Sequence, residues 1–64
     1  MDPHHFKSFF NRGFVYDKLN NFSSAILDYN AAINISHNNQ YAYYNRGITY
    51  FKLKQYDKAI EDFS

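Results

Sequence analysis

At 64 residues the chain makes at most one small domain, and a single core of this size supplies only about 3–5 kcal/mol unless something staples it. Seven Lys+Arg against six Asp+Glu leave a formal charge of +1 with no basic block, which argues against a nucleic-acid or anionic-membrane surface, and the absence of Cys removes disulfides and thiolate zinc ligands. The opening MDPHHFKSFF has no basic segment followed by an apolar run and no stretch approaches the ~18 apolar residues of a membrane span, so the expectation is a cytoplasmic protein.

Residues 6–19 read as a first helix, because Phe9, Gly13 and Tyr16 fall at i, i+4 and i+7 on one stripe. Asn20-Asn21 is too short for anything but a tight turn between antiparallel helices. Residues 22–35 read as the second helix, with Phe22, Ala25, Ile26, Tyr29, Ala32 and Ile33 spaced by threes and fours, and Ser36 and Asn38-Asn39 provide its stop. A third helix over 40–53 carries Tyr43, Gly47 and Tyr50 at the spacing of the first, Lys54-Gln55 makes the second tight turn, and a fourth helix covers 56–64. The expected class is all-α, built of tandem antiparallel αα-hairpins. Gly13 and Gly47 lie inside helices, where Gly costs roughly 1 kcal/mol against Ala, so a close helix approach is expected there, with Ala25 and Ala59 facing the glycines.

The chain states its pattern twice. FFNRGFVYDKLNNFSSAILDY, Phe9 to Tyr29, returns 34 residues later as YYNRGITYFKLKQYDKAIEDF, Tyr43 to Phe63. Asn-Arg-Gly, Lys-Leu and Ala-Ile recur intact, and aromatic replaces aromatic at Phe9/Tyr43, Phe10/Tyr44, Phe22/Tyr56 and Tyr29/Phe63. A fixed period with side-chain size preserved signals an array in which each unit buries its apolar face against the next.

This pattern resembles the tetratricopeptide repeat (TPR), W-x₂-L-G-x₂-Y then A-x₃-F then Pro. Phe9 and Tyr43 take the Trp slot, Gly13 and Gly47 the Gly, and Tyr16 and Tyr50 the Tyr. Ala25 with Tyr29, and Ala59 with Phe63, take the Ala and Phe slots. Arg12 and Arg46 depart from the pattern in the Leu slot, and each is expected to lie along its helix pair toward Asp28 or Asp62. His37 stands where Pro belongs and softens the helix stop. The resemblance implies a right-handed superhelix fragment, with 1–5 the tail of a preceding unit, 6–39 a first unit and 40–64 a second unit truncated in its second helix. Neither end resembles a cap, so the chain is expected to belong to a longer array or to self-associate.

By the same resemblance, the first helix of each unit forms a concave wall that binds peptides or helices of partner proteins. The residues so placed are Lys7, Phe10, Asn11, Phe14 and Asp17 in the first unit, and Tyr41, Tyr44, Asn45, Ile48 and Phe51 in the second. Asn11 and Asn45, one unit apart, suit a peptide backbone because an amide offers donor and acceptor together. A chaperone adaptor with a carboxylate clamp is an alternative: Lys7 and Asn45 match clamp slots, whereas Phe10, Asn11 and Phe14 break the pattern. RNA binding is the weaker alternative, since aromatics can stack bases but no basic stripe accompanies them.

His4-His5 and His37 lack the spacing of a metal site, and no nucleophile elbow, buried carboxylate pair or phosphate loop is present, so neither an enzyme nor a cofactor is expected. The sequons Asn21-Phe22-Ser23 and Asn34-Ile35-Ser36 fall at helix ends and are read as chance.

Overall fold

The structure, a computed structural model, describes residues 3–64. Among them, four helices form the fold: α1 Pro3–Lys18, α2 Phe22–Ile35, α3 Gln40–Lys52 and α4 Tyr56–Phe63. α1 packs on α2, α3 on α4 and α2 on α3, giving two hairpins side by side. α2 begins and ends where the spacing predicts. α1 instead starts at Pro3, three residues before the expected position, because proline lacks the N–H that a first helical turn leaves unpaired. Met1 and Asp2, at the head of the 1–5 segment, lie outside the described residues.

Both tight turns close in the same way. Asn21 N–H donates to Tyr16 O at 2.8 Å and Asn20 N–H to Asp17 O at 3.0 Å. Gln55 N–H donates to Tyr50 O at 2.9 Å and Lys54 N–H to Phe51 O at 2.9 Å, the same pattern one repeat later. This double closure requires a left-handed residue just past the helix, and Asn20 (φ 62°) and Lys54 (φ 63°) supply it. It also makes Leu53 the C-cap of α3, so that the helix ends at Lys52, one residue before the expected end. The junction between hairpins is set by Asn39, whose side-chain oxygen accepts from Tyr41 N–H at 3.0 Å and Ala42 N–H at 3.3 Å to start α3.

The core is made of small residues at helix crossings and one large ring. Ala25, Ala32, Ala42, Thr49 and Tyr29 are fully buried. The glycines make the close approach that their cost demands, but the space serves a ring and not the alanine methyls expected opposite. A Cβ on Gly13 would stand 2.9 Å from Tyr29 Cε1, and one on Gly47 would stand 2.7 Å from Phe63 Cε1. Ala25 contributes its backbone oxygen, 3.3 Å from that Gly13 position. The aromatic of each second helix thus sets a ring edge against the glycine of the first, which is why a small residue and an aromatic recur together.

Both arginines reach the expected carboxylates. Arg12 Nε and Nη2 donate to Asp28 Oδ2 and Oδ1 at 2.7 and 2.8 Å, and Arg46 Nε and Nη2 donate to Asp62 Oδ2 and Oδ1 at 2.8 and 2.6 Å. Two-point pairing on buried aspartates locks each hairpin, and the hydrogen bond to its aspartate holds each guanidinium pKa above its ordinary value. Arg46 does more: its Nη1 donates to Asn30 Oδ1 at 2.8 Å and ties the second hairpin to the first. Among the described residues no helix is long and apolar enough to cross a membrane, and no three or more His, Cys, Asp or Glu gather as metal ligands.

Candidate functional site

α1 touches α3, whereas α2 and α4 do not meet. The two hairpins thus touch on the α1/α3 side and not on the α2/α4 side. The buried positions of α1 and α3, Gly13, Asp17, Ala42, Gly47 and Thr49, face the second helices or the junction. On the opposite stripe Lys7, Asn11 and Phe14 are exposed, whereas Phe10 is half-buried.

Four of the residues selected from sequence meet at one place. Lys7, Phe10, Asn11 and Tyr41 line a cleft of ≈ 470 Å³ together with Phe6 and Asn39. Phe6 and Phe10 are stacked at 5.7 Å between centroids, and Phe10 leans on Tyr29 at 5.9 Å, so the apolar floor is anchored to the core. Asn39 commits its oxygen to the α3 N-terminus, which leaves its amide NH₂ as a donor at the rim. Asn11 and Lys7 are exposed beside it. The cleft combines an aromatic floor with a rim of donors, suited to an apolar side chain beside a peptide carbonyl or carboxylate.

The remaining selected residues are spread along α1 and α3. Phe14 is 44% exposed beneath Lys18, whose Nζ lies 5.0 Å from the ring centroid. Tyr44 stands against Phe63 at 5.7 Å and belongs to a second hollow, of ≈ 660 Å³, that also includes Tyr41, Tyr43 and Asp62. Phe51 packs edge-on against Tyr56 at 5.2 Å, toward the second turn. Asn45 and Ile48 are half-buried, and the Asn45 carbonyl accepts from Thr49 Oγ1 at 3.1 Å. Asp17 faces inward: it is 6% exposed, and Lys52 Nζ donates to both its oxygens at 3.2 Å, joining the ends of α1 and α3.

Phe6 and Asn39 are the cleft residues that sequence reasoning missed. Phe6 sits one turn before Phe10 and extends its stripe, a signal that was legible. Asn39 was legible only as a helix stop; its place in the cleft follows from the α2–α3 junction. The α1/α3 side carries no continuous basic stripe, since Lys52 is spent on Asp17 and Lys18 lies over Phe14.

Comparison with known proteins agrees with the tandem hairpins. Models described as tetratricopeptide repeat match residues 6–39 and 41–64. No match is found among curated proteins. Two matches in tandem, each over a helical hairpin with glycine and aromatic in register, cover nearly the whole chain, which belongs to the tetratricopeptide repeat family.

Proposed function

We propose that this chain is a protein-interaction module that holds a segment of a partner protein along the α1/α3 wall, centred on the cleft of Phe6, Lys7, Phe10, Asn11, Asn39 and Tyr41. The cleft is the observation that carries the reading: an aromatic floor and amide donors converge there. Tetratricopeptide repeats are in general protein–protein interaction modules and typically non-catalytic scaffolds, which supports a scaffold or adaptor role without chemistry of its own. In this reading residues 6–39 and 40–64 act as successive units, and Asn11 and Asn45 hold the partner backbone at two points.

The test begins with peptides selected from a random displayed library on the immobilised chain, with affinity then read by fluorescence anisotropy. Asn11→Ala with Asn45→Ala is expected to weaken binding about tenfold while leaving the circular dichroism spectrum unchanged. Leu27→Ala, on the outer α2 surface and 68% exposed, is expected to bind as the parent does. Equal binding by the double variant, or loss with Leu27→Ala, would contradict the proposal.

A further inference from the structure

One contact between the hairpins stands outside the repeat. Lys52, in the last turn of α3, reaches the end of the first hairpin, where its Nζ donates to both oxygens of Asp17 at 3.2 Å and lies 5.7 Å from the centroid of the Phe22 ring. Asp17 and Phe22 flank the first tight turn, so together they form a socket for the ammonium. Neither partner is matched one unit away: Asp17 returns as Phe51, and Lys18, the counterpart of Lys52, lies over Phe14 of its own helix. The Asp17 side chain is 8% exposed and that of Lys52 39%, so the carboxylate depends on the ammonium far more than the ammonium depends on it.

The cleft and this pair stand at opposite ends of the contact between α1 and α3, the cleft at Phe10 and Tyr41 and the pair at Asp17 and Lys52. Between them α3 is held to α2 by Arg46, whose Nη1 donates to Asn30 Oδ1 at 2.8 Å, with Ala42 and Thr49 fully buried on either side. Arg46 lies about 8 Å along the helix from Tyr41 and about 9 Å from Lys52, which makes it a pivot with two similar arms. We propose, on the binding role already given to the cleft, that Asp17 and Lys52 are positioning residues: their pair is a latch that holds the end of α3 down on α1 and so keeps the cleft open at the other end. The physical cause is the cost of a buried carboxylate without a partner. With Lys52 neutralised, Asp17 regains water when the end of α3 lifts. α3 then turns about Arg46, and Tyr41 moves toward Phe10.

Spin labels read both arms by electron paramagnetic resonance in a chain that has no cysteine of its own. Labels at Leu19→Cys and Gln55→Cys report the latch end, and labels at Lys7→Cys and Gln40→Cys the cleft end, all four positions being exposed. Lys52→Met keeps the side chain's length over Phe22 and removes its charge. It is expected to lengthen the first distance and shorten the second by about 3 Å each, a turn of roughly 20° on arms of that length. Adding Asp17→Leu removes the stranded carboxylate, and both distances are expected to return to those of the parent. In unlabelled chains, a peptide selected on the parent is expected to bind Lys52→Met about tenfold more weakly and the double variant as the parent does. Circular dichroism verifies folding; should Lys52→Met lose helix, Lys52→Gln, whose amide can satisfy one carboxylate oxygen, takes its place. Unchanged distances, distances that broaden alike at both ends, or a shift that leaves peptide affinity unaltered would overturn the proposal. The distances are read without peptide, so a parent that binds none would contradict the binding role and not the latch.

Discussion

Tyr29 is fully buried, yet its hydroxyl has no hydrogen-bond partner, and the second hairpin places Phe63 in the equivalent slot. A buried hydroxyl without a partner costs free energy that a ring alone does not. Tyr29→Phe is therefore expected to stabilise the chain by about 1 kcal/mol, read as a higher urea midpoint. Burial, and then the charge of Asp17, push the Tyr29 pKa from 10.0 up to about 12. The folded state keeps this proton after the unfolded state has lost it, so stability that is full below pH 10 falls as pH rises toward about 12. The difference between parent and Tyr29→Phe isolates this tyrosine from the others; a difference constant across that window would contradict its burial as an acid. The glycines give a second prediction. Gly13 lies under a ring that is fully buried, whereas Phe63 over Gly47 is 48% exposed and can swing aside. Gly13→Ala is expected to destabilise by about 1–3 kcal/mol, and Gly47→Ala by less, because its ring can move and the helix gains roughly 1 kcal/mol from alanine, although Asp62 Cβ also stands 3.1 Å from the new methyl. Thermal melts check the order, and equal losses would show that both rings are fixed. At this scale the need for small residues was legible from glycine inside a helical period. That a ring lies over each glycine was not, because helix spacing fixes a stripe and not the rotamer that fills it. Asp17 was misjudged for a related reason: its partner Lys52 comes from the other unit, and one helix's periodicity says nothing of what the next brings against it.

Two-residue breaks between helical stripes announced the tight turns, and four helices could be placed from apolar spacing alone. Their caps were less legible, because backbone geometry chooses the left-handed position before side-chain preference does. Asn tolerates φ 62° at residue 20, but Lys54 adopts φ 63° at the same point of the second turn and carries the Cβ penalty. Lys54→Gly is expected to raise stability by about 0.5–1 kcal/mol, and Asn20→Gly to change it by only a few tenths. Comparison of melting temperatures decides this, and a loss with Lys54→Gly would mean that its side chain holds the turn. The start of α1 was misread because Asp2-Pro3 resembles the end of a preceding repeat, whereas proline serves equally well as a first helical residue. The recurring Arg departure is legible in direction, since Arg and Asp stand sixteen residues apart in both hairpins. The Asn30 bond of Arg46 was hidden, because it crosses units.

Across the whole molecule, α1 touches α3 while α2 and α4 stay apart, and the proposed binding wall of α1 and α3 rests on that arrangement. Of the ten residues selected from sequence, Lys7, Phe10, Asn11 and Tyr41 gather at one cleft, while Tyr44 and Phe51 meet Phe63 and Tyr56. The division arises because unit boundaries are visible in a period but the depth of the groove between them depends on how α3 seats on α2. Since the wall lacks a basic stripe, partner binding is expected to depend little on salt, in contrast to a nucleic-acid surface. The most direct measurement is a map of amide chemical-shift changes by nuclear magnetic resonance as a selected peptide is titrated into the isotopically labelled chain. The account predicts shifts gathered at Lys7, Asn11, Tyr41 and Asn45, with Leu27 and the outer surface of α2 unmoved. Shifts confined to α2 and α4, with the α1/α3 wall silent, would contradict it.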